Sequence, residues 1–295
     1  MQTAKKIIES QLSTLYSKQE IESLSKLIFE KVLGLSRLEV FLNQNEIISA
    51  ANLAQIKEII ARLTQFEPIQ YIFGETEFYG LILKVGPEVL VPRPETEELV
   101  DWIIHEYKYL SPNILDIGTG SGCIPIALIK NIPGASAEGW DISLEALKIA
   151  KENAQINQVT VGFTFVDILS PSIPFREEKY DIIVSNPPYV TLSEQQLMAR
   201  NVTDFEPPIA LFVADNEALI YYRAIADVAK DLLKPGGKIY FEINERYGNE
   251  TTEVLQSKGF INIVLKKDIN GKDRMVRGEL QDGKIERMKG MNCVR

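Results

Sequence analysis

Apolar side chains recur every three or four residues through the first 66 positions, a spacing that places them on one face of an α-helix. Ser36 precedes a short helix predicted over residues 37–42, one or two more are predicted over residues 45–66, and Pro68 ends the pattern. The apolar positions that define these helical faces are Ile7, Ile8, Leu12, Leu15, Ile21, Leu24, Leu27, Ile28, Leu53, Ile56, Ile59, Ile60 and Leu63. The segment contains no cluster of titratable residues, so we expect a module for packing or docking.

The pattern changes to short β-like runs after Pro68. Residues 78–85 and 89–91 are such runs, and they flank Gly86-Pro87, which predicts a β-hairpin with that dipeptide as its connector. Pro94, followed by Glu95 and Glu97, is typical of a helix N-terminus, because proline fits the first helical position and carboxylates favour the positive end of the helix dipole.

Strand-like and helix-like segments alternate from residue 113 onward. Such alternation predicts a mostly parallel sheet with helices on both faces, that is, a doubly wound Rossmann-like α/β fold, in which the last two strands could form an antiparallel hairpin at one edge. The predicted strands are 113–117, 135–141, 160–166, 180–185, 238–243, 261–266 and 274–277, and the predicted helices are 123–130, 144–157, 216–233 and one that includes 254–258.

Composition removes several classes of protein. The chain has 295 residues, a length that suits two domains, and its 45% hydrophobic and 25% charged residues are ordinary for a globular protein. One histidine, His105, and two distant cysteines, Cys123 and Cys293, provide neither a zinc site nor a disulfide framework, so we expect no metal and a reducing compartment. The chain contains no apolar run long enough to span a membrane and no signal peptide, which predicts a cytoplasmic protein.

The formal net charge of −9 is unevenly distributed. Residues 1–70 are neutral, residues 71–260 carry −13 and residues 261–295 carry +4. Proteins that bind nucleic acid usually carry a basic surface, because most of their affinity comes from neutralising phosphates. The acidic middle segment therefore disfavours a direct nucleic-acid substrate.

A glycine-rich loop joins the first predicted strand of the sheet to its helix. The loop reads Gly118-Thr119-Gly120-Ser121-Gly122, and Asp141 ends the next strand. Glycines let a backbone turn sharply and approach a ligand closely, and a carboxylate at the Asp141 position can accept hydrogen bonds from both ribose hydroxyls of a nucleoside.

Two cofactors compete for this loop. A dinucleotide fingerprint has Gly or Ala in its third slot, which is Cys123 here, so that match is partial. The G-x-G-x-G pattern with Asp116 before it resembles motif I of the class I S-adenosylmethionine-dependent methyltransferases. The ammonium and sulfonium groups of that ligand suit a nearby carboxylate better than a pyrophosphate would.

The tetrapeptide Asn186-Pro187-Pro188-Tyr189 directly follows the predicted strand 180–185. A conjugated NH2 group is a poor nucleophile, because its lone pair is delocalised. The Asn186 side-chain oxygen and the Pro187 carbonyl could each accept one N–H bond from it, which would fix the nitrogen and favour positive charge on it during attack. Tyr189 offers a flat face to a planar amide or ring.

These motifs together resemble the peptide chain release factor glutamine methyltransferase family (HemK/PrmC). The resemblance covers residues 1 to about 280. It is carried by the NPPY tetrapeptide with residues 68–74 (PIQYIFG), 77–80 (EFYG), 91–97 (VPRPETE), 205–207 (FEP), 210–211 (AL) and 267–274 (KDINGKDR). It implies a seven-stranded methyltransferase sheet, S-adenosylmethionine as cofactor, methyl transfer to the glutamine amide of a Gly-Gly-Gln loop, and a release factor as partner of a monomeric enzyme.

The resemblance also implies a division of the chain and a set of site residues. Residues 1–72 would form a helical substrate-docking domain, 73–95 a β-hairpin linker, 96–282 the methyltransferase domain and 283–295 a disordered basic tail. Catalysis is assigned to Asn186, Pro187 and Tyr189. The cofactor contacts would be Gly118, Thr119, Gly120, Ser121, Gly122, Asp141, Asp167, Ile168 and Asn186, and the substrate contacts Asn186, Pro187, Pro188, Tyr189 and Arg93.

Some alternatives remain open at this point. Relatives often carry an aromatic residue where this chain has Ile168, so an apolar contact replaces stacking on the adenine. Arg93 is expected either to fix the loop over the active site or to bind substrate. A ribosomal-protein glutamine methyltransferase, an adenine-N6 nucleic-acid methyltransferase and a nucleotide-dependent dehydrogenase or binding module are the alternative functions.

Overall fold

A computed structural model describes residues 1–42, 47–170 and 179–281 of the chain. Some predictions concern residues that the structure does not describe. They are the disordered tail at 283–295, which contains Cys293, and the first two residues of the helical segment predicted over 45–66. The chain divides into two compact units, one formed by Met1–Gly74 with Ala199–Phe205, the other by Glu75–Met198 with Glu206–Arg295. No helix of the described residues has both the length and the apolar character needed to cross a membrane.

The helices and strands follow the predicted order closely. The α-helices are α1 (Gln2–Leu12), α2 (Lys18–Leu33), α3 (Arg37–Leu42), α4 (Ala50–Leu63), α5 (Ile69–Phe73), α6 (Pro94–Tyr107), α7 (Cys123–Asn131), α8 (Leu144–Ile156), α9 (Arg200–Thr203), α10 (Ile220–Leu232) and α11 (Gly248–Ser257). The strands are β1 (Glu75–Phe78), β2 (Leu81–Lys84), β3 (Asn113–Ile117), β4 (Ser136–Asp141), β5 (Gly162–Phe165), β6 (Tyr180–Ser185), β7 (Val190–Thr191), β8 (Phe212–Val213), β9 (Leu233–Glu242), β10 (Phe260–Lys267) and β11 (Asp273–Leu280). Single-turn 3₁₀ helices span Glu194–Leu197, Pro208–Ala210 and Asp215–Glu217.

The first unit is helical, as its apolar spacing predicts. Side chains from α1, α2 and α4 form its core, and Ser17 opens α2 with a capping box in which the Ser17 hydroxyl and the Glu20 carboxylate satisfy each other's backbone N–H groups. The largest wholly buried side chains of this core are Ile8, Leu12, Ile28, Ile56, Ile60 and Leu63. The inserted α9 belongs to the same unit, where the Arg200 guanidinium lies 4.4 Å from the centre of the Phe66 ring.

The second unit contains a seven-stranded sheet in the order β10-β11-β9-β6-β3-β4-β5. Strands β3, β4, β5, β6 and β9 pair in parallel, whereas β11 pairs antiparallel with both β9 and β10. The expected doubly wound sheet is therefore confirmed, and its antiparallel edge consists of the last two strands. Because β11 lies between β9 and β10, the final hairpin extends the sheet.

A β-hairpin forms in this region, but the predicted pairing of residues 78–85 with residues 89–91 across Gly86-Pro87 is wrong. β1 and β2 pair so that Phe78 faces Leu81, which leaves Tyr79-Gly80 as a two-residue loop. Both loop residues have positive φ, +47° and +73°, as in the type I′ turn whose twist matches that of a two-stranded ribbon. Residues 85–93, which include Gly86-Pro87, form no strand.

Strand β9 begins earlier than predicted. Lys234-Pro235-Gly236-Gly237 is typical of a helix stop, yet α10 ends at Leu232 and the strand starts at the next residue. The register shifts between the pairs Tyr180–Leu233 and Ile182–Lys238. A β-bulge of this kind accommodates residues that would disrupt a regular ladder.

Asn153 joins three parts of the second unit. It lies on α8 with no exposed surface, and its side-chain oxygen accepts the Lys84 N–H of β2 at 2.6 Å. Its NH2 group donates to the carbonyl of Lys84 at 3.0 Å and to that of Ser121, in the glycine loop, at 2.9 Å. A single buried amide therefore fixes the hairpin and the glycine loop to one helix.

Replacing Asn153 by Leu should destabilise the second unit by about 2–4 kcal/mol, because three backbone groups lose a buried partner. Both tryptophans, Trp102 and Trp140, lie in this unit, so urea unfolding followed by tryptophan fluorescence reports on it. The control is Asn131→Ala on the exposed end of α7, which should shift the curve by less than about 0.5 kcal/mol. Equal stability of the two variants would contradict this role of Asn153.

Candidate functional site at the carboxyl edge of the sheet

Three neighbouring strands end at one side of a cavity in the second unit. β3 pairs in parallel with β4 on one side and with β6 on the other, so the segments that follow them meet at the same edge of the sheet. The Ser185 hydroxyl, buried at the end of β6, donates to the Ile117 carbonyl at the end of β3 at 2.6 Å. This bond fixes the start of the NPPY segment beside the start of the glycine loop.

The glycine loop has a backbone that side chains would strain. Gly118, Gly120 and Gly122 have φ of +75°, +52° and +78°, in the left-handed region that favours glycine. A Cβ at Gly122 would also lie within 3.1–3.3 Å of side-chain atoms of Ala150, Ile126 and Phe163. The loop therefore leaves β3 and enters α7 along a tightly packed path.

Asp141 is already tied to the loop before any ligand is considered. Its two carboxylate oxygens accept the Gly120 N–H at 2.8 Å and the Ser143 N–H at 2.9 Å. Burial raises its pKa above the usual value, and these backbone donors partly offset that rise. An ionised carboxylate offers about four lone-pair sites, so acceptor capacity remains for ribose hydroxyls.

Asp116 is the unpartnered carboxyl group of the site. Its side chain is wholly buried, and neither oxygen has a hydrogen-bond partner among the described residues. Burial raises its pKa to about 7, whereas the nearby Thr119 hydroxyl, which is too poorly placed for a hydrogen bond, opposes that rise. Buried polar groups normally have partners, so an orphaned carboxyl next to a ligand cavity indicates a missing donor or cation.

Asp167 and Ile168 follow β5 and line the same cavity. The Asp167 carboxylate accepts the Leu169 N–H at 2.9 Å and so shapes its own loop, whereas Ile168 packs on the core. Tyr221 of α10 lines the cavity as well. Burial raises the pKa of Tyr221, with a smaller contribution from the nearby charge of Asp167.

The NPPY residues have different surroundings. Asn186, Pro187 and Pro188 line the cavity, and neither the Asn186 side-chain oxygen nor the Pro187 carbonyl accepts a hydrogen bond from the described residues. Tyr189 is not among the lining residues. Its hydroxyl donates to Glu242 at 3.0 Å, its backbone carbonyl accepts from Asn244 at 3.2 Å, and burial raises its pKa.

A buried carboxylate behind the NPPY segment links its two polar side chains. Glu242, at the end of β9, is 1% exposed and accepts both the Tyr189 hydroxyl and, at 2.6 Å, the Thr96 hydroxyl of α6. The Thr96 oxygen in turn accepts the Asn186 NH2 at 3.2 Å. Burial raises the pKa of Glu242, whereas the two hydroxyl donors and the charge of Arg274 favour its ionised form.

Arg93 is held in place by a second buried carboxylate. Its guanidinium contacts Glu206 at 2.6 Å, and the same carboxylate, 3% exposed, accepts the Val91 N–H at 3.1 Å. Of the two expected roles, this geometry supports fixing the loop at the cavity wall. Arg93 is also among the residues that line the cavity.

Most of the site residues predicted from sequence are brought together here. Gly122 and Tyr189 are the two predicted site residues that do not line the cavity. Those that line it are Gly118, Thr119, Gly120, Ser121, Asp141, Asp167, Ile168, Asn186, Pro187, Pro188 and Arg93. Sequence reasoning missed the cavity positions of Thr96 and Tyr221 and the bond between Glu242 and Thr96. The only available signal for Thr96 and Glu242 was their placement at a helix start and a strand end near the ligand edge.

Comparison with known proteins agrees with this geometry. The family profile of the PrmC N-terminal domain matches residues 4–74, and that of the methyltransferase small domain matches residues 96–204. The release factor glutamine methyltransferase of Bacteroides thetaiotaomicron is 45% identical over 91% of this chain and 96% of its own. The chain belongs to the release factor glutamine methyltransferase family. A second family member, from Flavobacterium psychrophilum, is 44% identical over 90% of this chain and 94% of its own.

A solved structure supports the fold independently. A methyltransferase from Pyrococcus furiosus superimposes with a TM-score of 0.51 at 17% identity, over 75% of this chain and 97% of that one. At this identity the similarity concerns the fold only. The predicted family and the Rossmann-like architecture are both confirmed.

Replacing Asp116 by Asn should weaken the pH dependence of stability. The folded protein keeps a proton on Asp116 up to about pH 7, whereas an unfolded chain releases it near pH 4, so raising the pH across this window lowers the free energy of unfolding. Between pH 5 and pH 8 the ligand-free variant should lose about 2.5–3 kcal/mol less than the wild type, since the window from pH 5 to the folded pKa spans about two pKa units and each is worth about 1.4 kcal/mol.

Urea unfolding at the two pH values, followed by tryptophan fluorescence, measures this difference. Asp231→Asn, at an exposed position on α10, is the matched control and should behave as the wild type does. An Asp116→Asn variant with the same pH dependence as the wild type would show that Asp116 does not carry this proton.

Proposed function

We propose that this protein transfers a methyl group from S-adenosylmethionine to the side-chain amide nitrogen of the glutamine in the Gly-Gly-Gln loop of peptide chain release factors. The observation that carries the proposal is the pair of unengaged acceptors, Asn186 Oδ1 and the Pro187 carbonyl, at the cavity that the glycine loop also lines. The two relatives are named release factor glutamine methyltransferases, which agrees with this proposal. A release factor as substrate would place the enzyme in the cytoplasm.

The cavity suits a cationic nucleoside cofactor. Asp141, fixed against the Gly120 N–H, would accept the ribose hydroxyls, and the orphaned Asp116 lies buried at the start of the same loop, where a nearby ammonium group would stabilise its charge. A dinucleotide would bring a pyrophosphate towards these carboxyl groups, which is unfavourable. Gly118, Thr119, Ser121, Asp167 and Ile168 would complete the cofactor contacts, with Tyr221 as an additional aromatic wall.

S-adenosylmethionine, when bound, supplies a methyl group on a positively charged sulfur. The protein's part is to hold the amide nitrogen. A primary amide has two N–H bonds, and Asn186 Oδ1 and the Pro187 carbonyl would accept one each. Two fixed acceptors orient the nitrogen and stabilise the positive charge that develops on it during attack. Pro187 lacks an N–H and has a fixed φ, so its carbonyl keeps its direction.

The direct test is methylation of a release factor. We expect the protein to transfer label from the methyl group of S-adenosylmethionine to a purified release factor, and mass spectrometry to locate it on the Gly-Gly-Gln glutamine. A panel with ribosomal proteins and with DNA and RNA covers the alternative substrates. Absence of label on that glutamine would overturn the proposal.

Asn186→Ala should lower kcat by about 10²–10³-fold, because removing one preorganised polar group at a reacting centre has an effect of this size. Cofactor affinity should fall much less, because the glycine loop and Asp141 are unchanged. Titration calorimetry with S-adenosylmethionine and steady-state kinetics with the release factor separate the two effects. Asn131→Ala is the control, and full activity of Asn186→Ala would refute the role of the amide.

Added salt should weaken association with the release factor. Residues 71–260 carry a net charge of −13, and a factor that binds ribosomal RNA is expected to present a basic surface. Opposite charges steer association less effectively at higher ionic strength. Raising the salt from 50 to 300 mM should increase the Kd at least several-fold, and an unchanged Kd would contradict an electrostatic contribution.

A further inference from the structure

The direction of each hydrogen bond behind the NPPY segment can be assigned by counting hydrogens. The Glu242 carboxylate accepts from two hydroxyls, Thr96 at 2.6 Å and Tyr189 at 3.0 Å. Since a threonine hydroxyl has one hydrogen, Thr96 has none left for Asn186. The Thr96 oxygen can therefore only accept a hydrogen bond from Asn186. Asn186 must present its NH2 group to Thr96, and the two groups lie 3.2 Å apart.

This assignment decides which end of the Asn186 amide remains for a ligand. With the NH2 group bound to Thr96, the Oδ1 atom is the end without a partner among the described residues. An amide rotated by 180° would offer a donor there instead of an acceptor. Local sequence does not bring these groups together, because Thr96 and Tyr189 are 146 and 53 residues away from Glu242.

We propose that Thr96 and Glu242 are positioning residues that fix the orientation of the Asn186 amide and thereby make the site specific for glutamine over glutamate. Two acceptors, Asn186 Oδ1 and the Pro187 carbonyl, match the two N–H bonds of a primary amide and face the oxygens of a carboxylate unfavourably. If the Asn186 amide were rotated, the site would present one donor, the Asn186 NH2 group, and one acceptor, the Pro187 carbonyl. A site with one donor no longer excludes a carboxylate. The inference rests on the proposed function, because it concerns the same glutamine.

The exposure of these groups is consistent with a fixed arrangement. Thr96 is 2% exposed and Glu242 is 1% exposed, so water does not compete freely for their hydrogen bonds. Burial raises the pKa of Glu242, and the two hydroxyl donors together with the charge of Arg274, itself paired with Asp268, oppose that rise and favour the ionised form that accepts from both hydroxyls. Tyr222 donates its hydroxyl to the Glu242 backbone carbonyl at 3.2 Å, which fixes the strand end.

The test compares Thr96→Val, which keeps the side-chain shape but removes the hydroxyl, with Thr96→Ser, which keeps the hydroxyl. The substrate is a release factor, and the competitor is the same factor with glutamate in place of its target glutamine. Thr96→Val should lower kcat at least tenfold, and it should lower the preference for the glutamine factor over the glutamate competitor, measured as the ratio of Ki to KM, by about tenfold. Thr96→Ser should restore both to within about threefold of the wild type.

A buried threonine outside the site provides the matched control. Thr251 on α11 is wholly buried, and its hydroxyl has no hydrogen-bond partner among the described residues, so Thr251→Val makes the same chemical change away from the cavity. It should leave kcat and the Ki to KM ratio unchanged. A loss of discrimination in Thr251→Val equal to that in Thr96→Val would assign the effect to general destabilisation and overturn the proposal.

A double-mutant cycle tests whether Thr96 and Glu242 act as one unit. Glu242→Gln retains the size of the side chain but presents an NH2 group to one of the two hydroxyls. If Thr96 acts through this contact, the kcat of Thr96→Val/Glu242→Gln should lie within about threefold of that of the slower single variant. If the fold-losses in kcat of the two single variants multiply in the double variant, Thr96 and Glu242 act independently and the proposal is overturned.

The activity of the wild-type protein shows whether a negative result contradicts this inference or the proposed function. A wild type that does not methylate the release factor contradicts the proposed function itself. A wild type that methylates it, together with a Thr96→Val variant that keeps both its kcat and its preference for glutamine, contradicts only the positioning role of Thr96 and Glu242.

Discussion

The site depends on the parallel pairing of β3 with β4 and β6. Parallel neighbours end at the same edge of a sheet, so three segments that are far apart in sequence converge there: the glycine loop, Asp141 and the NPPY tetrapeptide. The Ser185–Ile117 bond then fixes the third segment against the first. The contacts proposed for the glycine loop, Asp141 and Asn186 begin from this adjacency.

Burial of polar groups at this edge gives the site its chemistry. Charged side chains are costly to bury unless they have partners, and Glu242 and Glu206 each accept two hydrogen bonds that also fix a segment of the cavity wall. Asp116 is the exception, since it has no partner among the described residues. We interpret Glu242 and Glu206 as structural supports of the cavity wall, and Asp116 as a buried carboxyl group directly before the lining residues of the glycine loop.

Local sequence predicted a large share of the fold. The spacing of apolar residues predicted the helices of the first unit, and the alternation of strands and helices predicted the sheet of the second. The glycine pattern and the NPPY tetrapeptide predicted two segments that line one cavity. The errors occurred where local signals compete. Gly86-Pro87 is a common connector, yet the hairpin turns at Tyr79-Gly80, because a two-residue loop needs two left-handed residues whose twist matches the strands. Pro235-Gly236-Gly237 indicates a break, yet a bulge keeps it within β9.

The sequence by itself determined the family, and it predicted the cofactor loop and the acceptor pair of the NPPY segment, because these motifs consist of residues that are adjacent in the chain. Only the tertiary structure decided which groups stand behind them. Glu242 meets Thr96 across 146 positions, Arg93 meets Glu206 across 113, and Asn153 joins the hairpin to the glycine loop. Such partnerships follow from strand order and helix packing, which no local pattern encodes, and the one between Glu242 and Thr96 is the one proposed to orient the Asn186 amide.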